Sequence, residues 1–316
     1  MLRQMERLEC LYMLNELRAI VGSRLKKLYM LSNNEIKIAF QKANLIITLG
    51  KRINILTKER NDYIEHWFTK KIRKELENKV LNSIYMLNGD RIFVFEFDNY
   101  KLIVSLYGKG NICLYKNEEK IACLTKEEIR IENHDLTALI EKYKDKPIGA
   151  VLVRYVGKRY MPYILNKLKI NEKNQAIEVV DKIKDIEMEV NNIIENFKPA
   201  FNNDYELKPA DNLLEWKKTE SLSEAMDMYY VEKEKKENKI EKAIKIQEEN
   251  IIEYQKKADY YKRTAEFILK NAGILNELIY KIKDDKLSKE EVEKKGIIIN
   301  KKDRTFEIQK YMLLSD

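Results

Sequence analysis

Residues 90–124, DRIFVFEFDNYKLIVSLYGKGNICLYKNEEKIACL, decide the fold. Asp90–Asp98 and Lys101–Tyr107 are short runs rich in β-branched and aromatic residues, Ile92-Phe93-Val94-Phe95 and Leu102-Ile103-Val104 at their centres, and read as strands. One short turn separates these runs. Gly108-Lys109-Gly110-Asn111 makes a second turn into Ile112–Tyr115, and Lys120–Leu124 closes the set. Toward the N-terminus, residues 65–80 carry a helical period. Before them Arg24–Leu31, Glu35–Phe40, Asn44–Thr48 and Ile53–Thr57 are short and β-rich, with Asn33-Asn34 as a turn. Leu8, Leu11, Leu14, Leu17 and Ile20 stand at helical spacing over 6–20, and Gly22 ends that helix. Helix, strands, helix and more strands predict an α+β domain over 1–132.

Toward the C-terminus, residues 133–196 predict a helical unit. Leu136, Leu139 and Ile140 lead to Gly149, then Val151–Tyr155, Gly157, and a second short helix through Tyr163, Ile164 and Leu168. Two short helices around a glycine turn suit a helix-hairpin-helix, which commonly offers backbone amides to phosphates. Arg154, Lys158, Arg159, Lys167 and Lys169 fall between Val151 and Lys169 with no acidic residue, interleaved with Tyr155, Tyr160 and Tyr163. That pattern suits nucleic acid; a solvated helical face is the alternative. Residues 197–222 hold Pro199, Pro209 and several Asn and read as a loop-rich connector. Ser223 then N-caps a helix over 223–283 with no proline, and no glycine before Gly273. From Tyr230 to Ile282 it would run roughly 80 Å. Ile240, Ile244, Ile251, Ala258, Tyr261, Ala265, Ile268, Leu275 and Ile282 form a stripe with coiled-coil steps. A seam that long needs a partner. Residues 284–316 offer only a short helix and a small hairpin, Ile297–Asn300 with Thr305–Gln309, at the coiled-coil tip.

Within 316 residues, 44% hydrophobic content is enough for a core, and 35% charged residues point to much exposed helix. The net charge of +8 divides into +12 over residues 1–170 and −4 over 171–316, so a polyanion would be held by the first half. Cys10, Cys113 and Cys123 have no metal-ligand spacing and read as buried free thiols. No signal peptide and no apolar run of membrane length is visible, which predicts a soluble cytoplasmic protein without membrane contact. His66 and His134 lie far apart, with no ligand partner at metal spacing. Gly108-Lys109-Gly110 joins two strands and reads as a hairpin turn, not a nucleotide cradle. No phosphate loop or nucleophile motif is present, so no enzyme, cofactor or metal is expected.

An ordered series of small motifs resembles the NFACT family (fibronectin-binding A-like and nuclear export mediator factor-like proteins). It runs from Leu17 through Gly22-Ser23-Arg24 and Tyr29, then Lys51-Arg52-Ile53 ending at Thr57. It continues through Phe68, Ile72-Arg73-Lys74, Asp90-Arg91-Ile92 and Gly108-Lys109-Gly110-Asn111-Ile112, and resumes at the predicted hairpin. Leu222 to Tyr230, with Glu224-Ala225-Met226-Asp227 before Tyr229-Tyr230, completes it. The Arg-Ile and Lys-Arg-Ile stretches look most like archaeal members.

The resemblance implies a non-catalytic factor that binds the large ribosomal subunit with obstructed peptidyl-tRNA and recruits tRNA for template-free C-terminal tailing. It also implies an N-terminal fold like the β-sandwich of formamidopyrimidine-DNA glycosylase. The chain begins Met1-Leu2-Arg3, without that enzyme's Pro-Glu start, so glycosylase chemistry is disfavoured. A DNA-binding module on the same fold is the alternative function. The family's Asp-Arg pair, implicated in tRNA recruitment, falls on Asp90 and Arg91, and its first-helix acidic position on Glu9, where Asp is usual. Arg24, Lys51, Arg52, Arg73 and Lys74 are further candidate tRNA contacts, since guanidinium and ammonium groups suit phosphate. Asp90 could accept a base or ribose hydrogen bond or orient Arg91; a salt bridge between the two at a strand start is the alternative. Arg154, Gly157, Lys158, Arg159 and Lys167 are the candidate rRNA or phosphate contacts, expected on a surface apart from the tRNA contacts. The family's returning coiled-coil helix and C-terminal RNA-binding domain are expected to lie outside this chain, as a truncated piece, a natural short member or half of a split protein would have it, with a second polypeptide supplying them as one of these alternatives.

Overall fold

The computed structural model describes residues 2–60, 63–210, 215–284, 297–300 and 305–308. They fall into two compact units, Met1–Lys235 and Lys236–Asp316. The first unit opens with α1 (Arg7–Leu17) and one 3₁₀ turn at Arg18–Ile20. A four-stranded sheet follows, with β1 (Leu25–Ser32), β2 (Glu35–Phe40), β3 (Asn44–Thr48) and β4 (Arg52–Ile55) paired antiparallel in chain order. After α2 (Trp67–Leu76) comes a five-stranded antiparallel sheet in the same simple order. Its strands are β5 (Ser83–Met86), β6 (Ile92–Phe97), β7 (Tyr100–Ser105), β8 (Asn111–Lys116) and β9 (Glu119–Cys123). The α+β expectation holds as a mixed fold with antiparallel sheets.

Tight turns force this order, because only antiparallel neighbours can be joined by so few residues. α1 packs against β4 of one sheet and β5 of the other, and its Leu8, Met13 and Leu17 are fully buried. The Phe40 and Phe97 rings, one from each sheet, stack with centroids 6.2 Å apart. The turns of the two sheets also cross. A Cβ at Gly110 would collide with the Gly50 backbone, and one at Gly50 with the Gly108 carbonyl oxygen, so this crossing needs glycine on both sides. The Gly108-Lys109-Gly110 stretch is thus a packing turn between β7 and β8.

Then come α3 (Leu136–Lys142), α4 (Ile148–Tyr155), α5 (Met161–Leu168), a 3₁₀ segment at Ala176–Lys182, and α6 (Ile183–Asn196). Pro162 sits in the first turn of α5, where its missing N–H costs no helix hydrogen bond. Residues 197–222 depart from the expected loop. They build a three-stranded sheet from β10 (Lys198–Phe201), β11 (Tyr205–Lys208) and β12 (Lys217–Lys218). Strands this short carry almost no periodic signal, yet Ala200, Tyr205 and Leu207 are buried. The long helix, α7, spans Leu222–Lys270, and Asn271 separates it from α8 (Ala272–Lys283). Its first turn differs from expectation. Ser221, not Ser223, accepts the Glu224 amide at 3.1 Å, while the Ser223 hydroxyl donates to Glu16 at 2.6 Å. Glu16 also accepts the Leu222 and Ser223 amides, so α1 caps α7 with a negative charge at its N-terminus. On α7, the expected seam residues Ile244, Ile251, Tyr261 and Ile268 are exposed. β13 (Ile297–Asn300) pairs with β14 (Thr305–Ile308) as the predicted hairpin; Gln309 and the short helix expected within 284–296 lie outside the described residues.

The cysteine reading is corrected. Cys113 and Cys123 are directly opposed on β8 and β9 and form a disulfide. Spacing could not show this, because register, not sequence distance, brought the two sulfurs together. Cys10 remains a buried free thiol.

Candidate nucleic-acid interface

Asp90 ends the turn before β6 and is only 4% exposed. Its carboxylate accepts the Arg91 backbone amide at 2.6 Å and lies 3.6 Å from His134 Nδ1. The Arg91 side chain turns elsewhere. Its Nη1 donates to the Met5 carbonyl oxygen at 3.3 Å, and its guanidinium stands 5.4 Å from the Tyr107 ring centroid. The two side chains therefore form no salt bridge with each other. Asp90 fixes the backbone from which Arg91 projects.

Beneath them Arg7 of α1 ties the floor together. It donates through Nε to the Gly89 carbonyl oxygen and through Nη1 to the Tyr155 carbonyl oxygen at 2.6 Å, and it lies 4.3 Å over the Tyr155 ring. Burial pulls its pKa down, and its hydrogen bonds are already committed inside the protein. Above this floor opens a cleft of about 400 Å³, lined by Asp90, Arg91, Tyr107, Arg130, His134, Arg154, Gly157 and Lys158, with Gln4–Arg7 at its base. Arg130, Arg154 and Lys158 are exposed and outnumber the exposed Glu132, so the mouth is net cationic, and Tyr107 stands on one wall. Such a mouth gathers phosphate by charge, and Tyr107 with Arg91 offers a flat face for a base.

The structure thus brings Asp90 and Arg91 together with Arg154, Gly157 and Lys158. Separate surfaces were expected for the two sets, and these residues share one. They meet because α4 packs on α1, whose leader also receives the start of β6.

The turn between α4 and α5 holds a further correction. A helix-hairpin-helix commonly offers its turn amides to phosphate, and here one of them, the Arg159 amide, already donates to Glu6 Oε2 at 3.1 Å. Gly157 has φ +108°, and a Cβ there would collide with the Glu6 carboxylate. Its glycine is required by backbone conformation and by this close carboxylate. Burial, and then the neighbouring Glu9, push the Glu6 pKa up to about 7. The Arg159 side chain is held by Asp204, and lies 3.5 Å from Glu206.

Other sequence candidates lie away from the cleft or below the surface. Glu9 is fully buried, paired with Arg3 and accepting the Tyr160 hydroxyl at 3.0 Å. Arg52 is 1% exposed and pairs with Asp227 of α7 at 3.0 Å, with its guanidinium 3.8 Å over the Tyr230 ring. Neither can reach an RNA without unfolding its surroundings. Lys51 is half-buried in the β3–β4 turn. Arg24 is exposed and donates to the Asn78 carbonyl oxygen at 2.9 Å. Arg73 and Lys74 sit on α2, Arg73 5.7 Å from the Tyr29 ring centroid and Lys74 exposed. Lys167 is exposed on α5. Sequence reasoning missed Arg130, Tyr107 and His134 as cleft residues. His134 has no ligand partner at metal spacing in the sequence, and the fold sets its Nδ1 3.6 Å from the Asp90 carboxylate. Among the described residues, no group of three or more His, Cys, Asp or Glu is placed to hold a metal ion, and no helix is long and apolar enough to cross a membrane.

The fold is that of fibronectin-binding protein N-terminal regions. The N-terminal part of the fibronectin/fibrinogen-binding protein from Streptococcus suis superposes with a TM-score of 0.56 at 19% identity, covering 72% of this chain and 100% of that one. The fibrinogen binding protein from Staphylococcus aureus gives 0.55 at 16% identity, covering 71% of this chain and 98% of that one. The family resemblance is then shown by sequence: residues 10–128 match the NFACT family model described as NFACT N-terminal and middle domains. The archaeal Rqc2 homolog aRqcH of Methanocaldococcus jannaschii is 26% identical, over 85% of this chain and 50% of that protein. The ribosome quality control complex subunit NEMF homolog of Drosophila melanogaster is 30% identical, over 40% of this chain and 14% of that protein. The chain therefore spans half or less of these curated relatives.

Proposed function

We propose that this chain is a ribosome quality-control factor that binds the large ribosomal subunit carrying obstructed peptidyl-tRNA and recruits tRNA for template-free C-terminal tailing. One observation carries the reading: Asp90 and Arg91 converge with Arg130, Arg154 and Lys158 on a single net-cationic cleft beside Tyr107. The names of the relatives supply the ribosomal context. In this reading 1–132 and the hairpin unit 133–196 hold RNA together. The long helix over 223–283 acts as a coiled-coil arm, whose exposed Ile244, Ile251 and Ile268 are covered by a helix of a second polypeptide. The setting is the cytoplasm. Glu9 and Arg52 serve as packing residues, and Arg24, Lys51, Arg73 and Lys74 belong to a separate, weaker contact.

The test is co-sedimentation with large subunits, with and without peptidyl-tRNA, over a salt series. Selective retention by the peptidyl-tRNA-bearing subunit is the expected result. Arg91→Ala and Lys158→Ala should each lower RNA affinity and reduce the salt slope by about one unit. Equal retention by any polyanion, or tighter binding to nicked duplex DNA than to tRNA, refutes the reading.

A further inference from the structure

The hairpin turn after α4 is a wall with a cavity on each side. Gly157 and Lys158 face the cleft, whereas Arg159 and Tyr160 face a second cavity of about 480 Å³. That volume lies within the range of roughly 300–1,000 Å³ usual for small-ligand sites. Four aromatic side chains line it, the buried Tyr160 among them. Tyr163 and Phe197 meet edge to face at 5.0 Å, and Trp216, half-buried, stands before β12. The Lys208 ammonium lies 4.8 Å from the Trp216 ring centroid.

The charges sort into two kinds. Glu206 is already neutralised, 3.0 Å from Lys208 and 3.5 Å from Arg159. Glu215, exposed on the rim, has no ion pair among the described residues. Aromatic walls, the already paired Arg159 and Lys208, and one carboxylate without an ion pair fit a nucleobase removed from its stack. Aromatic faces hold any base. A carboxylate accepts in parallel from two donors, the N1–H and N2–H of guanine, a pair that adenine and the pyrimidines do not present.

We propose that this cavity receives an unstacked guanine of the RNA whose backbone crosses the cleft, with the base against Trp216 and its N1–H and N2–H donated to Glu215. This rests on the RNA-binding reading above and adds a base-specific contact to it.

The chain has two tryptophans, Trp67 and Trp216, so Trp67→Phe leaves Trp216 as the sole reporter. Its fluorescence is titrated with GMP, AMP, UMP and inorganic phosphate, and the same samples are tested for tRNA binding with and without Arg91→Ala. Saturable quenching by GMP, about tenfold weaker quenching by AMP and none by phosphate is expected. Glu215→Gln should erase the preference for GMP, and Trp216→Ala should weaken tRNA binding by about 5- to 100-fold. No saturable quenching by GMP, or equal quenching by all three nucleotides, overturns the proposal. If Arg91-sensitive tRNA binding persists in those samples, the base pocket alone has failed and the RNA-binding reading stands.

Discussion

Replacing Asp227 by alanine tests whether the Lys51-Arg52-Ile53 and Asp227–Tyr230 motifs are structural. The Asp227 carboxylate accepts Arg52 Nη1 and Asn54 Nδ2 at 3.0 Å each, and both the amide and the hydroxyl of Thr57 at 2.7 Å. The Arg52 and Asp227 side chains are 2% and 5% exposed. In Asp227→Ala the guanidinium stays buried with Glu35 at 3.4 Å as its remaining ion-pair partner. Breaking a buried pair from one side costs about 3–5 kcal/mol when the remaining charge is poorly compensated, and here Arg52 keeps only Glu35, which Arg60 already holds at 2.9 Å. For a unit of this size that corresponds to a fall in Tm of roughly 6–20 °C. Thermal unfolding followed by near-UV circular dichroism measures it. The double variant Arg52→Met/Asp227→Leu removes both charges and should recover much of the loss. RNA affinity of the folded fraction should stay unchanged, since Arg52 lies beneath Tyr230. A loss below about 1 kcal/mol, the scale of an exposed pair, refutes the reasoning. So does a fall in RNA affinity without a fall in Tm.

Glu6 gives a prediction in pH. Its carboxyl titrates at about 7 in the folded state against an ordinary 4.5. The folded state therefore binds the extra proton, and stability declines as pH rises through that interval, by at most about 3 kcal/mol. Glu6→Gln should flatten the stability profile between these values; a parallel shift at all pH values would contradict the assignment. For the disulfide, reduction or Cys123→Ser should destabilise the oxidised protein by about 2–3 kcal/mol through loss of one short closed loop. Urea unfolding with and without reductant checks this, and identical midpoints would count against it.

Much of the fold was legible because its elements are local. The strands of residues 24–57 and 90–124 announce themselves by short runs of β-forming residues between turn residues, and the two antiparallel meanders need no long-range information. β5 escaped, since Ser83–Met86 is four residues with mixed burial. β10 to β12 escaped because prolines and asparagines obscured strands of two to four residues. The candidate site was legible residue by residue but not as a place. Asp90, Arg91, Arg154 and Lys158 were each singled out, yet nothing in their spacing puts them on one cleft.

The sequence by itself determined the α+β order, the family motifs, the basic first half and the long helix, because periodicity and charge are properties of neighbouring residues. Tertiary structure alone decided which charged motif residues face outward. Arg52 and Arg91 are chemically the same and both stand near a strand start. One is sealed beneath Tyr230 by the docking of α7, and the other is left beside Tyr107 in an open cleft. The same packing gave His134 its carboxylate and joined Cys113 to Cys123. In each case the partner comes from a distant or opposing segment. Burial depends on what a distant segment covers, and that is settled only when the chain has closed on itself.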